Sequence, residues 1–241
     1  MKKYLVFLIS IIFFTSDLKL LAIKPLTLGN RLYWTIKVSA DLDEAKQYLQ
    51  ANPEFIDLSL DFESSLIKIP EDFFSELNLL EFSVMRLGTK LPESIGTLRH
   101  LKVLYVVHSR ITSLPESIGN LIQLQEIHVH NNGQLLSIPK SIGNLINLLV
   151  LDFGMNRQLT TVPESIGNLI NLVVLDLGND RISVLPESIG NLRSLKRLLI
   201  QNNKLSNLPA TLPISLGLKM QSGQLIIKMD HQNETDFSPW F

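Results

Sequence analysis

The segment at residues 114–137, LPESIGNLIQLQEIHVHNNGQLLS, contains the patterns that decide how this chain folds. Its first phrase, LPESIGNL, returns with small changes at four other places, from Leu91, Ile138, Val162 and Leu185. The five copies follow one another at intervals of 23 or 24 residues, and weaker copies begin at Ile69 and Leu208. An internal period of this length indicates an array of stacked units, in which each unit packs only against its neighbours.

A second phrase follows the first and has apolar residues at alternate positions. It reads LQEIHVHNN at residues 124–132, and related phrases begin at Phe55, Leu79, Leu101, Leu148, Leu172, Leu195 and, in truncated form, Leu216. Because successive side chains of a strand point to opposite faces, the leucine positions face one side and the intervening residues the other. We therefore expect eight strands that pair in parallel, about 4.8 Å apart, over a shared leucine core.

The first phrase predicts a short helix between consecutive strands. The Pro of LPESIG suits the first turn of a helix, where its missing N–H group breaks no hydrogen bond. The Ile and Leu of SIGNL are expected to point back into the core. The Gly is expected to let the chain turn sharply into the next unit.

Together the two phrases resemble the leucine-rich repeat family in its 23-residue class, over roughly residues 55–226. The wording LPESIGNLxxL is similar to exported leucine-rich repeat proteins of pathogenic spirochaetes, of the leptospiral type, and to the eukaryotic intracellular Ras-group repeats. The segment at residues 41–60 favours the spirochaete type, because an amphipathic helix ending at Asn-Pro leads into the first strand. The resemblance implies an α/β fold, a right-handed solenoid with a concave parallel β-sheet and short helices or 3₁₀ turns on the convex side.

The patterns divide the chain into four segments. Residues 1–22 are interpreted as a signal peptide, because MKK precedes an apolar run of eleven residues, YLVFLISIIFF, shorter than the roughly 20 that span a bilayer. Residues 23–54 are expected to form an N-terminal cap from the strand-like YWTIKV and a helix, and residues 55–226 the repeats. Residues 227–241 are expected to form a C-terminal cap or tail, whose aromatic residues Phe237, Trp240 and Phe241 either cover the last repeat or bind a partner.

Composition narrows the possible functions. With 22 basic and 23 acidic residues, bulk charge favours neither a nucleic-acid nor an anionic-membrane partner. The absence of cysteine excludes disulfides, thiolate metal sites and cysteine nucleophiles. The sequence has no P-loop, no GxSxG, no GxGxxG after a strand and no kinase signature. We therefore expect no catalytic residue and no cofactor.

The strand register predicts which side chains face outward on the concave sheet. Aromatic and apolar side chains on a rigid face are what a protein-binding hot spot needs, and several cluster near Tyr105. The residues predicted to bind a ligand are Met85, Val103, Tyr105, Val107, His108, Glu126, His128, His130, Asp152, Asp176, Arg197 and Leu199.

Two of these, His128 and His130, are neighbours on one face of the same predicted strand, and Asp152 is expected beside His128 on the next strand. Imidazole and carboxylate groups are zinc ligands. An open sheet, however, lacks the surrounding groups that orient metal ligands. We interpret the three residues as pH-sensitive members of a binding face, with zinc binding as an alternative hypothesis.

The Asn that closes the strand phrase is expected to form a buried ladder that satisfies backbone groups. It is present at Asn132, Asn156 and Asn203, and is replaced by Glu63, Leu87, Ser109, Asp180 and Gly223. Asp180 and Ser109 can partly substitute for it, whereas Leu87 cannot. We therefore expect the N-terminal units to be less regular.

These observations predict an exported, non-enzymatic module that binds a protein through its concave face. The resemblance implies a host surface or extracellular-matrix protein as ligand and a location in the periplasm, on the outer surface or in the medium. The alternatives are a self-associating scaffold of the cell envelope and an intracellular regulator of GTPases.

Overall fold

The strands form one mixed sheet in which the repeat strands lie side by side in chain order. The computed structural model describes residues 26–28, 31–36, 40–88, 90–212, 218–221 and 224–228. The strands within these ranges are β1 (Leu26–Leu28), β2 (Arg31–Ile36), β3 (Asp57–Phe62), β4 (Glu81–Met85), β5 (Val103–Val107), β6 (Glu126–His128), β7 (Val150–Asp152), β8 (Val174–Asp176), β9 (Arg197–Leu199), β10 (Leu218–Gln221) and β11 (Gln224–Lys228). Strands β2 to β9 are parallel, each to the next. The predicted signal peptide and the three terminal aromatic residues lie outside the described residues.

The leucine positions of the repeats form the core. In β6 to β8 the central residues Ile127, Leu151 and Leu175 are fully buried, and their neighbours in the chain face the other side of the sheet. Phe62, Phe74 and Phe82 enlarge the core of the N-terminal units, where the repeat phrases are degenerate. The predicted solenoid is therefore confirmed, with a single core enclosed between the sheet and the turns on its other side.

Short 3₁₀ helices form the convex side. They are η1 (Glu93–Thr97), η2 (Glu116–Asn120), η3 (Lys140–Asn144), η4 (Glu164–Asn168) and η5 (Glu187–Asn191). The Ile of each phrase is buried, as predicted. The Pro, however, precedes the helix in an extended conformation, for example φ −69° and ψ 149° at Pro115, and does not lie within its first turn.

The glycine of SIGNL has a different role from the predicted one. A Cβ atom on Gly143 would lie 2.5 Å from the backbone oxygen of Ser165 in the next repeat. Gly119 is in the same position relative to Ser141, at 2.7 Å. Glycine is therefore needed because consecutive repeats approach each other closely there, and not because the chain turns sharply.

The N-terminal end of the solenoid is covered by β1, β2 and helix α1 (Ala40–Ala51). β2 begins two residues before the predicted YWTIKV and pairs antiparallel with β1 and parallel with β3. Leu42, Ala45 and Leu49 of α1 are buried. The buried ring of Trp34 packs edge-on against Tyr48, with ring centroids 5.8 Å apart.

The C-terminal end differs from the prediction of a last parallel repeat at residues 216–226. Instead, β10 and β11 form an antiparallel hairpin, and β11, the second strand of the pair, lies against β9 in antiparallel orientation. Alternating apolar residues are compatible with either orientation, so the pattern alone does not distinguish a repeat strand from a hairpin.

Candidate binding face

The residues between the core positions of β3 to β9 form a continuous surface, here called the concave face. Backbone pairing aligns one column through Asp57, Glu81, Val103, Glu126, Val150, Val174 and Arg197. A second column runs through Ser59, Ser83, Tyr105, His128, Asp152, Asp176 and Leu199. Both columns confirm the register predicted from the sequence.

Aromatic and apolar side chains cluster in the middle of the concave face. The ring of Tyr105 stacks on the imidazole of His128, with centroids 4.7 Å apart and 9° between the ring planes. Val103 and Val107 lie on either side of Tyr105 on β5, and Met85 pairs with Val107 from β4. These five residues are called the central patch. Met85, Val103 and Tyr105 are partly exposed, so the patch offers aromatic and aliphatic surface to a partner.

His128 is held between two carboxylates beneath this surface. Its Nε2 atom lies 3.3 Å from Oε2 of Glu126, and its Nδ1 atom lies 3.5 Å from Oδ2 of Asp152. Burial by itself lowers the pKa of His128, but the hydrogen bonds and charges of Asp152 and Glu126 outweigh it and leave the pKa raised above 6.5. The protonated imidazole can donate to both carboxylates at once, which holds the ring flat against Tyr105.

The pKa of His130 is lowered, in contrast to that of His128, although the two residues are only two positions apart. Burial lowers its pKa, the nearby charges of His128 and His108 lower it further, and Asp152 only partly opposes them. The Nδ1 atom of His130 lies 3.8 Å from Oδ2 of Asp152. As pH falls, His128 therefore becomes charged before His130.

Two carboxylates, those of Asp152 and Asp176, follow His128 along the second column. Asp152 and Asp176 each accept a hydrogen bond from a backbone N–H group two residues later, from Gly154 at 3.0 Å and from Gly178 at 2.8 Å. Burial raises the pKa of Asp176 to about 6, since the hydrogen bond from Gly178 and the charge of Arg197 offset it only in part. The second column thus contains two groups of raised pKa, His128 on β6 and Asp176 on β8, with Asp152 between them on β7.

The structure places most of the predicted site residues together, with three differences. Val107 was expected to be exposed, but it is buried with 9% of its surface accessible. His128 was expected to be displayed to the outside, but only 6% of it is exposed, because Tyr105, Glu126 and Asp152 cover it. His108 lies beyond the end of β5 with φ 51° and an exposed side chain, and only its backbone N–H group reaches the carbonyl of His130. Arg197 and Leu199 lie at the C-terminal end of the face, in β9, three strands beyond β6.

Behind the concave face, buried polar side chains link consecutive repeats. Asn132 Oδ1 accepts from the backbone N–H of Ser109 at 2.8 Å, and its Nδ2 donates to the carbonyl of Val106 at 2.8 Å. Asn156 Oδ1 accepts in the same way from the backbone N–H of Asn132. Ser109 continues the ladder by accepting from the N–H of Leu87, as predicted for a partial substitute. These hydrogen bonds form the buried ladder between repeats that the sequence pattern predicts.

Comparison with models of known protein families agrees with the repeat pattern. A family model described as a leucine-rich repeat region matches residues 73–158, and a second, described as a leucine rich repeat, matches residues 171–192. The repeats of this chain are leucine-rich repeats. A search of curated proteins finds no match.

Among solved structures, this chain is similar to a leucine-rich repeat protein of Leptospira interrogans, with 26% identity and a TM-score of 0.59 over 76% of this chain and 45% of that one. An internalin of Listeria monocytogenes matches with 22% identity and a TM-score of 0.53 over 68% of this chain and 48% of that one. The complex PEPR1–AtPEP1 matches with 22% identity and a TM-score of 0.50 over 71% of this chain and 24% of that one. The chain therefore spans less than half the length of each of these structures. The repeat fold supports a protein-binding module.

Two further observations concern metals and membranes. The described residues of this chain contain no group of three or more His, Asp and Glu side chains placed to hold a metal ion. Within the same ranges, no helix has both the length and the apolar character needed to cross a bilayer.

Sequence reasoning missed one surface of the repeats. Ile122, Ile146 and Ile170 follow the SIGNL phrase and are more than half exposed, although their type suggests core positions. The signal in the sequence is that the same position holds Arg99 and Arg193 in other repeats, which shows that the scaffold does not require an apolar side chain there.

Proposed function

We propose that this chain is a non-enzymatic module that binds a protein ligand through the central patch of its concave face. The stacked pair of Tyr105 and His128 carries this proposal. An aromatic ring fixed in one orientation loses little conformational freedom when a partner covers it, and Tyr is enriched among residues that dominate binding energy. The aliphatic side chains of Val103 and Met85 extend the same surface and can exclude water around the ring.

The charged groups around the patch favour a ligand of mixed polarity. Glu126 and Asp152 hold His128 between them, and the ion pair between Asp61 and Arg86, at 2.7 Å, lies toward the N-terminal repeats. A partner whose apolar residue contacts Tyr105 would bring its polar neighbours against these groups. Electrostatic complementarity of this kind sets specificity and association rate more than affinity.

The proposed location is outside the cytoplasm. The resemblance to exported spirochaete proteins and the charged, then apolar, segment at residues 1–22 support export and a host surface or extracellular-matrix protein as ligand. Mass spectrometry of the N-terminus after expression with a secretion pathway tests this part by itself. Cleavage near residue 22 is expected, and an intact Met1 in cytosolic protein would favour the intracellular alternative.

Binding is tested with a panel of purified host surface and extracellular-matrix proteins on a biosensor. Tyr105→Ala should weaken the strongest interaction at least about tenfold, the loss typical of an aromatic hot spot. Val174→Ala is the matched control, because Val174 occupies the same face on β8, away from the central patch. Equal affinity of wild type and Tyr105→Ala, with unchanged circular dichroism, would contradict the concave-face assignment.

A further inference from the structure

A second apolar surface lies on the edge of the solenoid where the 3₁₀ helices return to the strands. It is made by residues that occupy equivalent positions in five consecutive repeats and is here called the flank. Its outer row consists of Arg99, Ile122, Ile146, Ile170 and Arg193, and its inner row of Lys102, Gln125, Leu149, Val173 and Lys196. None of these residues belongs to the concave face, because each precedes the strand of its repeat.

The middle of the flank is apolar and open. Ile122, Ile146 and Ile170 are 57%, 53% and 52% exposed, and Leu149 beside them is 41% exposed. Consecutive repeat strands lie about 4.8 Å apart, so these side chains form one strip along the solenoid axis and are not scattered surface residues. Exposed apolar side chains that adjoin one another mark interaction sites more often than isolated ones do.

Hydrogen bonds hold the strip in a fixed geometry. Nδ2 of Asn147 donates to the carbonyl of Ile122 at 2.8 Å, and Nδ2 of Asn171 donates to the carbonyl of Ile146 at 2.8 Å. The inner row is joined by backbone bonds of 2.8 Å from each N–H group to the carbonyl of the preceding repeat, as between Leu149 and Gln125. The isoleucines therefore project from a rigid support.

A shallow groove of about 470 Å³ lies along this support. It is lined by Lys102, Gln123, Gln125, Asn147, Leu149, Asn171, Val173 and Ser194. The amides of Gln123 and Gln125 are exposed and can donate to, and accept from, the backbone of an extended chain. No acidic side chain among the described residues lines the groove.

Cations stand at both ends of the strip. Arg99 and Lys102 lie at the end toward β5, and Arg193 and Lys196 at the end toward β9. All four side chains are exposed, and none of them forms an ion pair with another described residue. A ligand that covers the isoleucines therefore meets positive charge on either side of the apolar strip.

We propose that the flank binds an extended peptide segment of a partner protein, apolar in its middle and carrying a carboxylate near each end. The distance from the first to the last of the five repeats is four steps of about 4.8 Å, or roughly 19 Å. An extended chain rises about 3.3 Å per residue, so about six residues span the strip. Apolar side chains of the segment pack on Ile122, Ile146 and Ile170, and its terminal Asp or Glu residues pair with the cations.

The test uses a random twelve-residue peptide library displayed on phage, selected on the full chain. Peptides in which apolar residues are flanked by Asp or Glu about six residues apart should be enriched. Their synthetic forms should bind at least about tenfold more weakly to Ile146→Lys and to the double variant Lys102→Glu with Lys196→Glu. The matched control is Leu136→Lys, because Leu136 is similarly exposed, at 51%, but does not belong to the flank.

Three outcomes would overturn the proposal. Peptides that bind Ile146→Lys as well as wild type, or lose binding only with Tyr105→Ala, would place the interaction elsewhere. Self-association that disappears in Ile146→Lys would make a second copy of the chain the occupant. Binding to vesicles of phosphatidylglycerol, sensitive to the same substitution and without enrichment of acidic peptides, would make the flank a membrane contact.

Discussion

Replacement of Asp180 by Asn should stabilise the protein, and more strongly at high pH. Asp180 takes the place of the ladder Asn in its repeat and is only 6% exposed. Neither of its carboxyl oxygens makes a hydrogen bond of normal geometry within the described structure. Burial raises its pKa to about 8; the nearby backbone N–H of Asn156 counteracts this in part, and the charges of Asp176 and Asp152 add to it.

The size of the effect follows from the linkage between protonation and folding. The pKa rises from 3.8, the ordinary value of an aspartate, to about 8 in the folded chain. Each unit corresponds to about 1.36 kcal/mol, so burying Asp180 costs about 6 kcal/mol above pH 8, where it is charged, and roughly 4 kcal/mol at pH 7, where the folded chain must take up a proton. Structural relaxation around the carboxylate reduces this, and we expect Asp180→Asn to gain about 2–4 kcal/mol at pH 7.

The sign of the pH dependence is set by the folded state, which holds its proton more tightly than the unfolded state. Between about pH 4 and pH 8 the folded chain binds more protons at Asp180, so the free energy of unfolding of wild type falls as pH rises. Asn cannot ionise and removes this contribution. It can also donate to a carbonyl of the preceding repeat, as Asn203 donates to that of Leu177 at 2.6 Å, which is worth about 1 kcal/mol at any pH.

The assay is urea unfolding followed by circular dichroism at pH 5, 7 and 8.5. The gain of Asp180→Asn should be about 2 kcal/mol at pH 5, from the hydrogen bond and the small protonation term together, and should widen steadily toward pH 8.5. Asn156→Asp is the reverse control, because it creates a second buried acid at the neighbouring ladder position and should destabilise most at pH 8.5. Equal stability of wild type and Asp180→Asn at pH 8.5, or parallel pH profiles, would refute the reasoning.

Three further predictions concern the turns and the concave face. Gly143→Ala should lower the free energy of unfolding by about 1–3 kcal/mol, because its Cβ would meet Ser165, whereas Gly133→Ala has open space and should be nearly neutral in the same urea titration. Met155→Asn should raise the free energy of unfolding by about 0.5–1 kcal/mol, because Met155 has φ 62° and Asn adopts that conformation at lower cost; no gain would contradict this. The pKa of His128, measured by NMR, should lie above 6.5. The stability that its charged form contributes should be present below pH 6.5 and disappear as pH rises through the folded pKa. His128→Gln should abolish this pH dependence, and a variant with the same pH profile as wild type would contradict the prediction.

The repeat pattern predicted the register because one physical requirement is repeated in every unit. Leucine positions must be buried, and the alternation of side chains along a strand then fixes where all other residues point. This is why Tyr105, His128 and Asp152 could be aligned from the sequence alone. The burial of His128 could not be derived in this way, because it depends on the rotamer of Tyr105 and on the two carboxylates that surround the imidazole.

Two predictions were wrong because the sequence pattern on which each was based is compatible with two different structures. Alternating apolar residues after β9 fit a parallel repeat strand and an antiparallel hairpin equally well, and the chain forms the hairpin. The glycine of SIGNL suits a sharp turn and a close contact between repeats equally well, and the contact with the next repeat decides. In both cases the interaction that decides the structure is made with a neighbouring unit, so the local sequence alone does not predict it.

The flank illustrates how a repeat protein can separate structure from function within its own sequence. At core positions every repeat carries an apolar residue, so an apolar residue there reports only on packing. At the outer flank position Arg99 and Arg193 fit the same backbone as Ile122, Ile146 and Ile170, so packing does not require the isoleucines. Exposing three of them costs solubility without adding to the core. A role in binding accounts for that cost, and it accounts as well for the placement of the arginines at the two ends of the strip.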